Sequence, residues 1–415
     1  MRSKRLTFIG ILFLIWAMVL AACSPSPATT SPTATSPASA VQPTTETVNT
    51  QAPSGEPIKI GFYAPITGPA AADGESAQRS ADLAVKIINE QGGVLARPLQ
   101  LISYDDAFSP DEAANVVRRL VEQDKVAAIV SGSYSFTTRA GAPIAQEAGV
   151  PFIAAYAVHP SVTETGEYVW RIGALAPIQG QAGAQLVTDK FQAKNVAVLI
   201  VDNDFGVSLT DGFKKHAAEL GMNIVYEETY PLGETDFRPL LSGIKDANPD
   251  VIYATGYYAE AAALVSQMKE GGMDIQVVGQ EGYDSPTFLS LAGDAANGVV
   301  FTTDLNRDSD RQAVQQFLKE FQQAYNEQAD AVGASVYDAV QVIAAGIQAG
   351  GSTGPQDILK GLRSLENFDA AVTGPIIRFT DGREVVRPIG AQIVKDNAFH
   401  FFHEIDDPAL ITPEK

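Results

Sequence analysis

The run Ala127-Ala128-Ile129-Val130-Ser131-Gly132-Ser133-Tyr134-Ser135-Phe136-Thr137-Thr138 concentrates hydroxyl groups where they can bind a small molecule. It reads as a short buried strand, a Gly/Ser turn and the start of a helix that continues through Ile144 to Glu147. A helix N-terminus presents unpaired backbone N–H groups and a partial positive charge. Hydroxyls at Ser133 and Ser135 add donors at the same place. Such a turn, at the carboxyl end of a strand, can seat a small anion such as a carboxylate. The same residues also fit a plain helix cap, with Ser133 or Ser135 as the capping residue.

Other groups capable of chemistry read more simply. Gly350-Gly351-Ser352-Thr353-Gly354 matches a nucleophile-elbow string, which needs a strand, a sharp turn and a helix. Here it follows a helix ending at Ala349, so it reads as a helix stop and loop. His400 and His403 lie in a strand-like segment and point to opposite faces, which argues against a metal pair. His159, beside Pro160, reads as a turn residue, with ligand contact as the alternative. Asp105-Asp106, and Asp202 with Asp204, are acids at strand ends without a phosphate-binding loop nearby. They read as turn formers and helix caps.

The whole chain narrows the classes further. Its 415 residues suggest two or three folded lobes, and 45% hydrophobic with 19% charged residues can build a large core. A net charge of −20 argues against nucleic acid and against peripheral binding to anionic lipid. One cysteine and four histidines leave no disulfide framework, no cysteine metal site and no histidine-rich centre. No cofactor is expected.

The single cysteine, Cys23, has a place of its own. Arg2, Lys4 and Arg5 form a basic start, and Leu6 to Val19 is an apolar run too short to span a membrane comfortably. Leu20-Ala21-Ala22-Cys23 then resembles the bacterial lipobox. The resemblance implies a signal peptide over residues 1–22, cleavage before Cys23 and lipidation of that residue. An ordinary signal peptide with a chance cysteine is the alternative. Residues 23–55 are rich in Ser, Pro, Thr, Ala and Gln and lack the apolar content that offsets ordering entropy, so they read as a disordered tether. The folded body begins near Glu56.

The elements that must position the hydroxyl turn follow in order. Ile58 to Tyr63 alternates as a strand, Gly68-Pro69 and Asp73-Gly74 signal turns, and a helix with Leu83, Ala84, Ile87 and Ile88 on one face stops at Gly92-Gly93. Leu99 to Tyr104 is a strand, and Ser109-Pro110-Asp111-Glu112 starts a helix with a capping box. Val150 to Ala154 closes a first strand–helix series. A second series has helices over Pro177 to Phe191, up to Leu220 and over Thr235 to Ala247. Its strands run over Val196 to Val201, Ile224 to Glu228, Val251 to Ala254, Ile275 to Val278 and Val299 to Phe301. From Asn306 come three helices, the last over Pro355 to Leu365. Strands over Ile376 to Phe379 and Ile389 to Val394 and an edge near Phe399 to Phe402 follow. Short apolar strands alternating with amphipathic helices imply an α/β chain with parallel sheets covered on both faces, doubly wound, in two lobes.

Taken together, Ile58-Lys59-Ile60-Gly61, Pro65-Ile66-Thr67-Gly68-Pro69, Asn89-Glu90-Gln91-Gly92-Gly93-Val94, Gly149-Val150-Pro151, Val196 to Asp204, Thr235-Asp236-Phe237, Gly256-Tyr257, Tyr337-Asp338-Ala339 and Gly374-Pro375 resemble the leucine/isoleucine/valine-binding-protein family. These are substrate-binding proteins of ABC transporters for branched-chain and other amino acids. The likeness covers nearly all of the chain after the tether. It implies the type I periplasmic binding protein fold: two Rossmann-like lobes joined by three hinge crossovers, here near Ala174, Thr303 and Asp381. The lobes would be residues 56–174 plus 304–381 and residues 175–303 plus 382–411.

The resemblance also implies site roles. Ser135 takes the position of a serine that binds the ligand α-carboxylate, which leaves Ser133 as a turn residue. Glu281 takes that of an acid binding the α-ammonium, and Tyr257 and Phe205 those of aromatic pocket walls. The physics is coherent, because both are charge-assisted bonds that strengthen when closure excludes water. Three positions depart from the family pattern. Val158 stands where a threonine grips both charged groups, which leaves only its backbone N–H. Tyr156 stands where a small residue is common. Asp73 replaces an aromatic cover, which fits either a polar or cationic feature in the ligand or an exposed loop.

The leading reading is therefore an extracytoplasmic lipoprotein of an ABC importer, monomeric and held to the bacterial membrane by its lipid. It would bind an amino acid and work with permease and ATPase subunits. The alternative is a sensing protein for an amide or small carboxylate that signals rather than transports. An enzyme on the same scaffold is the third class.

Overall fold

The computed structural model describes residues 52–413, so the signal-peptide, Cys23 and most tether expectations fall outside the described residues. The first part of the body alternates β1 (Ile58–Ala64), α1 (Ala71–Glu90), β2 (Leu99–Asp105), α2 (Pro110–Arg119), β3 (Ala128–Ser131), α3 (Ser135–Ala148), β4 (Phe152–Ala154) and β5 (Val169–Arg171). The second comprises α4 (Ala176–Phe191), β6 (Asn195–Val201), α5 (Asp204–Glu219), β7 (Asn223–Tyr230), α6 (Arg238–Ala247), β8 (Val251–Ala254), α7 (Tyr258–Glu270), β9 (Gln276–Gly279), α8 (Pro286–Ala292) and β10 (Val300–Thr303). Then come α9 (Gln312–Tyr325), α10 (Ala331–Gly350), α11 (Pro355–Arg363), β11 (Glu366–Phe368), β12 (Ile376–Phe379) and β13 (Val385–Val386). The chain ends with β14 (Ile389–Lys395), β15 (Ala398–Ile405) and α12 (Pro408–Ile411).

Local chemistry accounts for many of these boundaries. At α2 the Ser109 hydroxyl accepts from Glu112 N at 3.4 Å, Pro110 takes the first helical position, and Ala113, Val116 and Val117 form the buried stripe. At α5 the Asn203 side chain caps by accepting from Gly206 N at 2.9 Å. Helix α6 begins at Arg238 rather than Thr235, because the Thr235 carbonyl is taken by Gln267 Nε2 at 2.7 Å and Pro239 fits the first turn.

The strands make two main sheets. The first has order β2-β1-β3-β4-β5 and is parallel throughout. In the second, β7-β6-β8-β9-β10 are parallel, and β14 and β15 add antiparallel strands beyond β10. Each is the doubly wound arrangement expected from the strand–helix alternation. Strand order reverses between β1 and β3 in one sheet and between β6 and β8 in the other. Loops leaving the carboxyl ends of strands on either side of a reversal frame a crevice, where α/β proteins bind ligands.

Three passages join the lobes. The first runs from β5 to α4 and the second leaves β10. Between β13, in the small sheet with β12, and β14, in the second main sheet, the chain passes through Arg387-Pro388. Asp381 sits in the turn between β12 and β13, and both strands stay in a small three-stranded sheet with β11. That sheet belongs with the first lobe: Arg171 N donates to Arg383 O at 3.2 Å, and the buried Arg171 guanidinium holds Glu384 at 2.8 Å. The passages touch one another. Arg387 Nη1 donates to Ile172 O at 3.1 Å, and Ala174 N donates to Asp304 Oδ2 at 3.3 Å.

Among the described residues no helix is long and apolar enough to cross a membrane. No group of His, Cys, Asp and Glu side chains among them is placed to hold a metal ion.

Candidate functional site

The loops at the two reversals converge on Tyr134. This residue ends the turn after β3 in extended backbone and precedes the first residue of α3, Ser135. Its ring meets Tyr257, at the start of α7 in the second lobe, edge to face with centroids 5.0 Å apart. Tyr257 stacks on Phe205 at 5.1 Å, and Tyr156 meets Tyr134 at 5.6 Å. Phe108 completes the wall, 5.2 Å from Tyr134 and 4.9 Å from Phe136. These contacts cross from one lobe to the other, as do an ion pair between Arg139 and Asp204 and a hydrogen bond from Tyr258 OH to Pro69 O at 3.4 Å.

Neither serine caps α3. Tyr134 occupies the capping position without a side-chain cap bond. Ser133 Oγ is paired with Thr137 Oγ1 at 2.7 Å, and Ser131 Oγ with Thr138 Oγ1 at 2.8 Å, so both hydroxyls hold the turn together. Ser135 stands apart from these pairs: its Oγ accepts from His159 N at 3.3 Å. The first turn of α3 thus brings together a hydroxyl and backbone N–H groups that a helix of this length leaves without helical partners.

Two acids face this aromatic wall. Glu281 opens a short helical turn after β9 and is 4% exposed, and its Oε1 has no hydrogen-bond partner. Burial, then the neighbouring Asp304, pushes its carboxyl well up, against the opposing effects of Gln179 and Arg387. Asp73 is neither in a turn nor in an exposed loop. It lies in the first turn of α1 and is 3% exposed. The helix starts early because Gly74 lets it press against the chain leaving β1: a Cβ there would stand 2.1 Å from Pro65 O. Tyr134 OH donates to Asp73 Oδ2, while Oδ1 has no partner. Burial, then the charge of Asp330, raises the Asp73 carboxyl to about 7, against the lowering effect of the Tyr134 hydrogen bond. Both acids lie near enough to Tyr156 and Tyr257 for their charges to raise those phenols, although burial is the larger cause.

Of the predicted residues, Asp73, Tyr156 and Tyr257 meet Tyr134, Phe205 stacks on Tyr257, Glu281 lies near Tyr156 and Tyr257, and Ser135 follows Tyr134 in the chain. Val158 is fully buried, and its carbonyl accepts from Ala176 N at 3.0 Å, which ties it to the first passage between lobes. His159 is a turn residue: its Nδ1 accepts from Ser161 N at 3.2 Å, and burial, with Arg139 and Arg171, lowers it to about 4.

Sequence reasoning assigned no role to Tyr134 or Phe108. Tyr134 was visible as the one aromatic between the turn serines. Phe108 follows the Asp105-Asp106 pair, and its φ of 60°, after 49° at Ala107, is a strained turn for a bulky residue. Asp106 Oδ1 holds that turn by accepting from Phe108 N at 3.0 Å. A cavity of ≈ 270 Å³ opens beside the cluster, lined by Pro69, Phe108, Tyr134, Tyr257 and Tyr258 among others.

Residues 57–398 match the periplasmic binding protein family, and the chain belongs to it. It is 30% identical over 309 residues to the leucine-, isoleucine-, valine-, threonine- and alanine-binding protein of Pseudomonas aeruginosa, covering 74% of this chain and 82% of the relative. It is 32% identical over 302 residues to Leu/Ile/Val-binding protein homolog 3 of Brucella melitensis, covering 71% and 80%. Among solved structures, the leucine binding protein LivK from Thermotoga maritima superposes with a TM-score of 0.79 at 28% identity, over 85% of this chain and 99% of that one. The branched-chain amino acid transporter substrate binding protein LivJ from Streptococcus pneumoniae, in complex with isoleucine, gives 0.77 at 28% identity, over 84% and 99%. The fold is that of the type I periplasmic binding proteins.

Proposed function

We propose that this chain is an extracytoplasmic lipoprotein that captures an amino acid between its lobes and delivers it to the permease of an ABC importer. What supports the reading is that the chain offers groups of opposite chemistry for the two ends of an amino acid. On one side stand Ser135 and the N–H groups of the first turn of α3; on the other stands Glu281, buried with an unpartnered oxygen. An amino acid supplies a carboxylate for the first and an ammonium for the second. Each bond is charge-assisted and strengthens as closure excludes water. Tyr156, Tyr257 and Phe205 wall the ligand, and Val158 offers only its backbone. The names of the relatives, which specify leucine, isoleucine, valine and other amino acids, favour the same ligand class.

In this reading the first lobe comprises residues 56–174 and 304–386 and the second residues 175–303 and 387–411. The passages between them act as hinges, and ligand favours the closed form by touching both lobes at once. Lipid on Cys23 holds the body outside the membrane at the end of the tether. Calorimetry or thermal shift against amino acids, amides, short-chain acids and polyamines tests the reading. Saturable binding of an L-amino acid is expected. Binding confined to ligands without a carboxylate removes Ser135 from the proposed role.

A further inference from the structure

Asp73 is a buried acid that an amino acid's two backbone charges leave unanswered. Its Oδ2 accepts from Tyr134 OH, and its Oδ1 has no partner. The two carboxylates that raise it are Asp330, whose Oδ1 accepts from Ser76 Oγ at 2.6 Å and Gly333 N at 2.7 Å, and Asp284. Asp284 is itself held by Arg307 and by Thr303 Oγ1 at 2.7 Å, so that arginine is already engaged. Its neighbours line two cavities, although Asp73 itself lines neither: Ala70 and its partner Tyr134 border the one of ≈ 270 Å³, and Ala72, Ser76 and Asp330 border one of ≈ 430 Å³. The rings between Asp73 and Glu281, those of Tyr134, Tyr156 and Tyr257, attract cations by their faces and pack against methylene chains. An unpaired buried carboxylate costs folding energy and gains most from a bound cation.

We propose that the ligand carries two cationic groups, an ammonium held by Glu281 and a second cation, at the far end of an aliphatic chain, held by Asp73 beside Tyr134. A basic amino acid meets this description, and so does a diamine. The inference rests on the amino-acid reading above for Glu281 and narrows it. It departs from a purely branched-chain ligand, whose apolar end would meet a carboxylate.

The test is calorimetry of the full chain with lysine, norleucine, leucine and cadaverine. Norleucine is lysine without its terminal ammonium. Lysine is expected to bind about tenfold or more tighter than norleucine, the size of one charge-assisted bond. Asp73→Asn is expected to collapse that preference. Lysine binding should also release more protons than norleucine binding near about pH 6, read from the dependence of the heat on buffer, because an α-ammonium ionises Glu281 in both cases and only the terminal cation ionises Asp73. Proton release reports on the unsubstituted chain, so it decides the matter even where Asp73→Asn does not fold. Cadaverine binding as tightly as lysine supports the two-cation site and makes diamines the source. Norleucine or leucine binding as tightly as lysine overturns the inference and leaves the amino-acid reading standing. A lysine preference with no more proton release than norleucine overturns the assignment to Asp73. Failure of all four compounds to bind overturns this inference, and the amino-acid reading is then decided by the wider panel above.

Discussion

Arg387 and Asp304 face each other at 3.9 Å in the interior, with side chains 1% and 2% exposed. Arg387 belongs to the third passage between lobes and Asp304 to the second, and each bonds the backbone of the first, at Ile172 O and Ala174 N. The pair therefore ties the three crossovers at one point. It also reaches the site, because Asp304 and Arg387 are among the charges that act on Glu281. Removing one partner strands the other in a dry interior. Arg387→Met is expected to destabilise the chain by about 3–5 kcal/mol in urea unfolding. A loss under about 1 kcal/mol would mean that the passages do not depend on the pair.

Ser135 and Glu281 separate the two ends of the ligand. Ser135→Ala is expected to weaken a carboxylate ligand by about 1.5–3 kcal/mol in calorimetry. Unchanged affinity would take the hydroxyl out of the site. Glu281→Gln is expected to cost an ammonium ligand at least about 2 kcal/mol. It should leave the ligand-free chain about as stable, since it replaces a buried carboxyl that has an unpartnered oxygen by a neutral amide of the same shape.

The buried acids set the pH dependence of the ligand-free chain. Burial raises Asp73 from 3.8 to about 7 and Asp330 and Asp338 from 3.8 to about 6. Each holds its proton more tightly folded than unfolded. The stability they contribute is fully present below the unfolded value and is lost as pH climbs through about 6 to 7. The thermal midpoint should therefore fall between about pH 5 and about pH 8, and Asp73→Asn should flatten the fall. A midpoint that rises over this range would contradict the burial of these groups.

Tyr134 and Tyr257 are the aromatic contact between lobes. A double-mutant cycle with Tyr134→Leu and Tyr257→Leu, read through ligand affinity, should show a coupling of about 0.5–1.5 kcal/mol. Zero coupling would place the rings apart in the bound form.

The proposed anchoring rests on Cys23. Cys23→Ser should move the chain from the membrane fraction to the soluble fraction and abolish incorporation of labelled palmitate. Retention in the membrane fraction would rule out the lipid as the anchor.

Much of this protein was legible along the chain. Strand–helix alternation is a local pattern, and it located the carboxyl ends of β3, β6, β8 and β9, where Ser135, Phe205, Tyr257 and Glu281 stand. Capping is equally local, as Ser109 and Pro110 show at α2. The short strands β11 and β13 were not legible. They are too brief for periodicity to show, and their pairing with β12 is made across turns.

What only the tertiary structure decided are relations between distant residues. Asp73 and Tyr134 are 61 positions apart, and nothing in either neighbourhood announces that a phenol closes on that carboxylate. Whether Asp73 faces water or the interior depended on where α1 begins, and that on Gly74 fitting against Pro65. The meeting of Arg387 with Asp304 likewise depends on how two passages cross. Periodicity is written in neighbouring residues, so the sequence determined the elements and the strand ends that carry the site. Burial and charge pairing arise only when separate segments exclude water together, so the fold decided which acids in the cleft lack a partner.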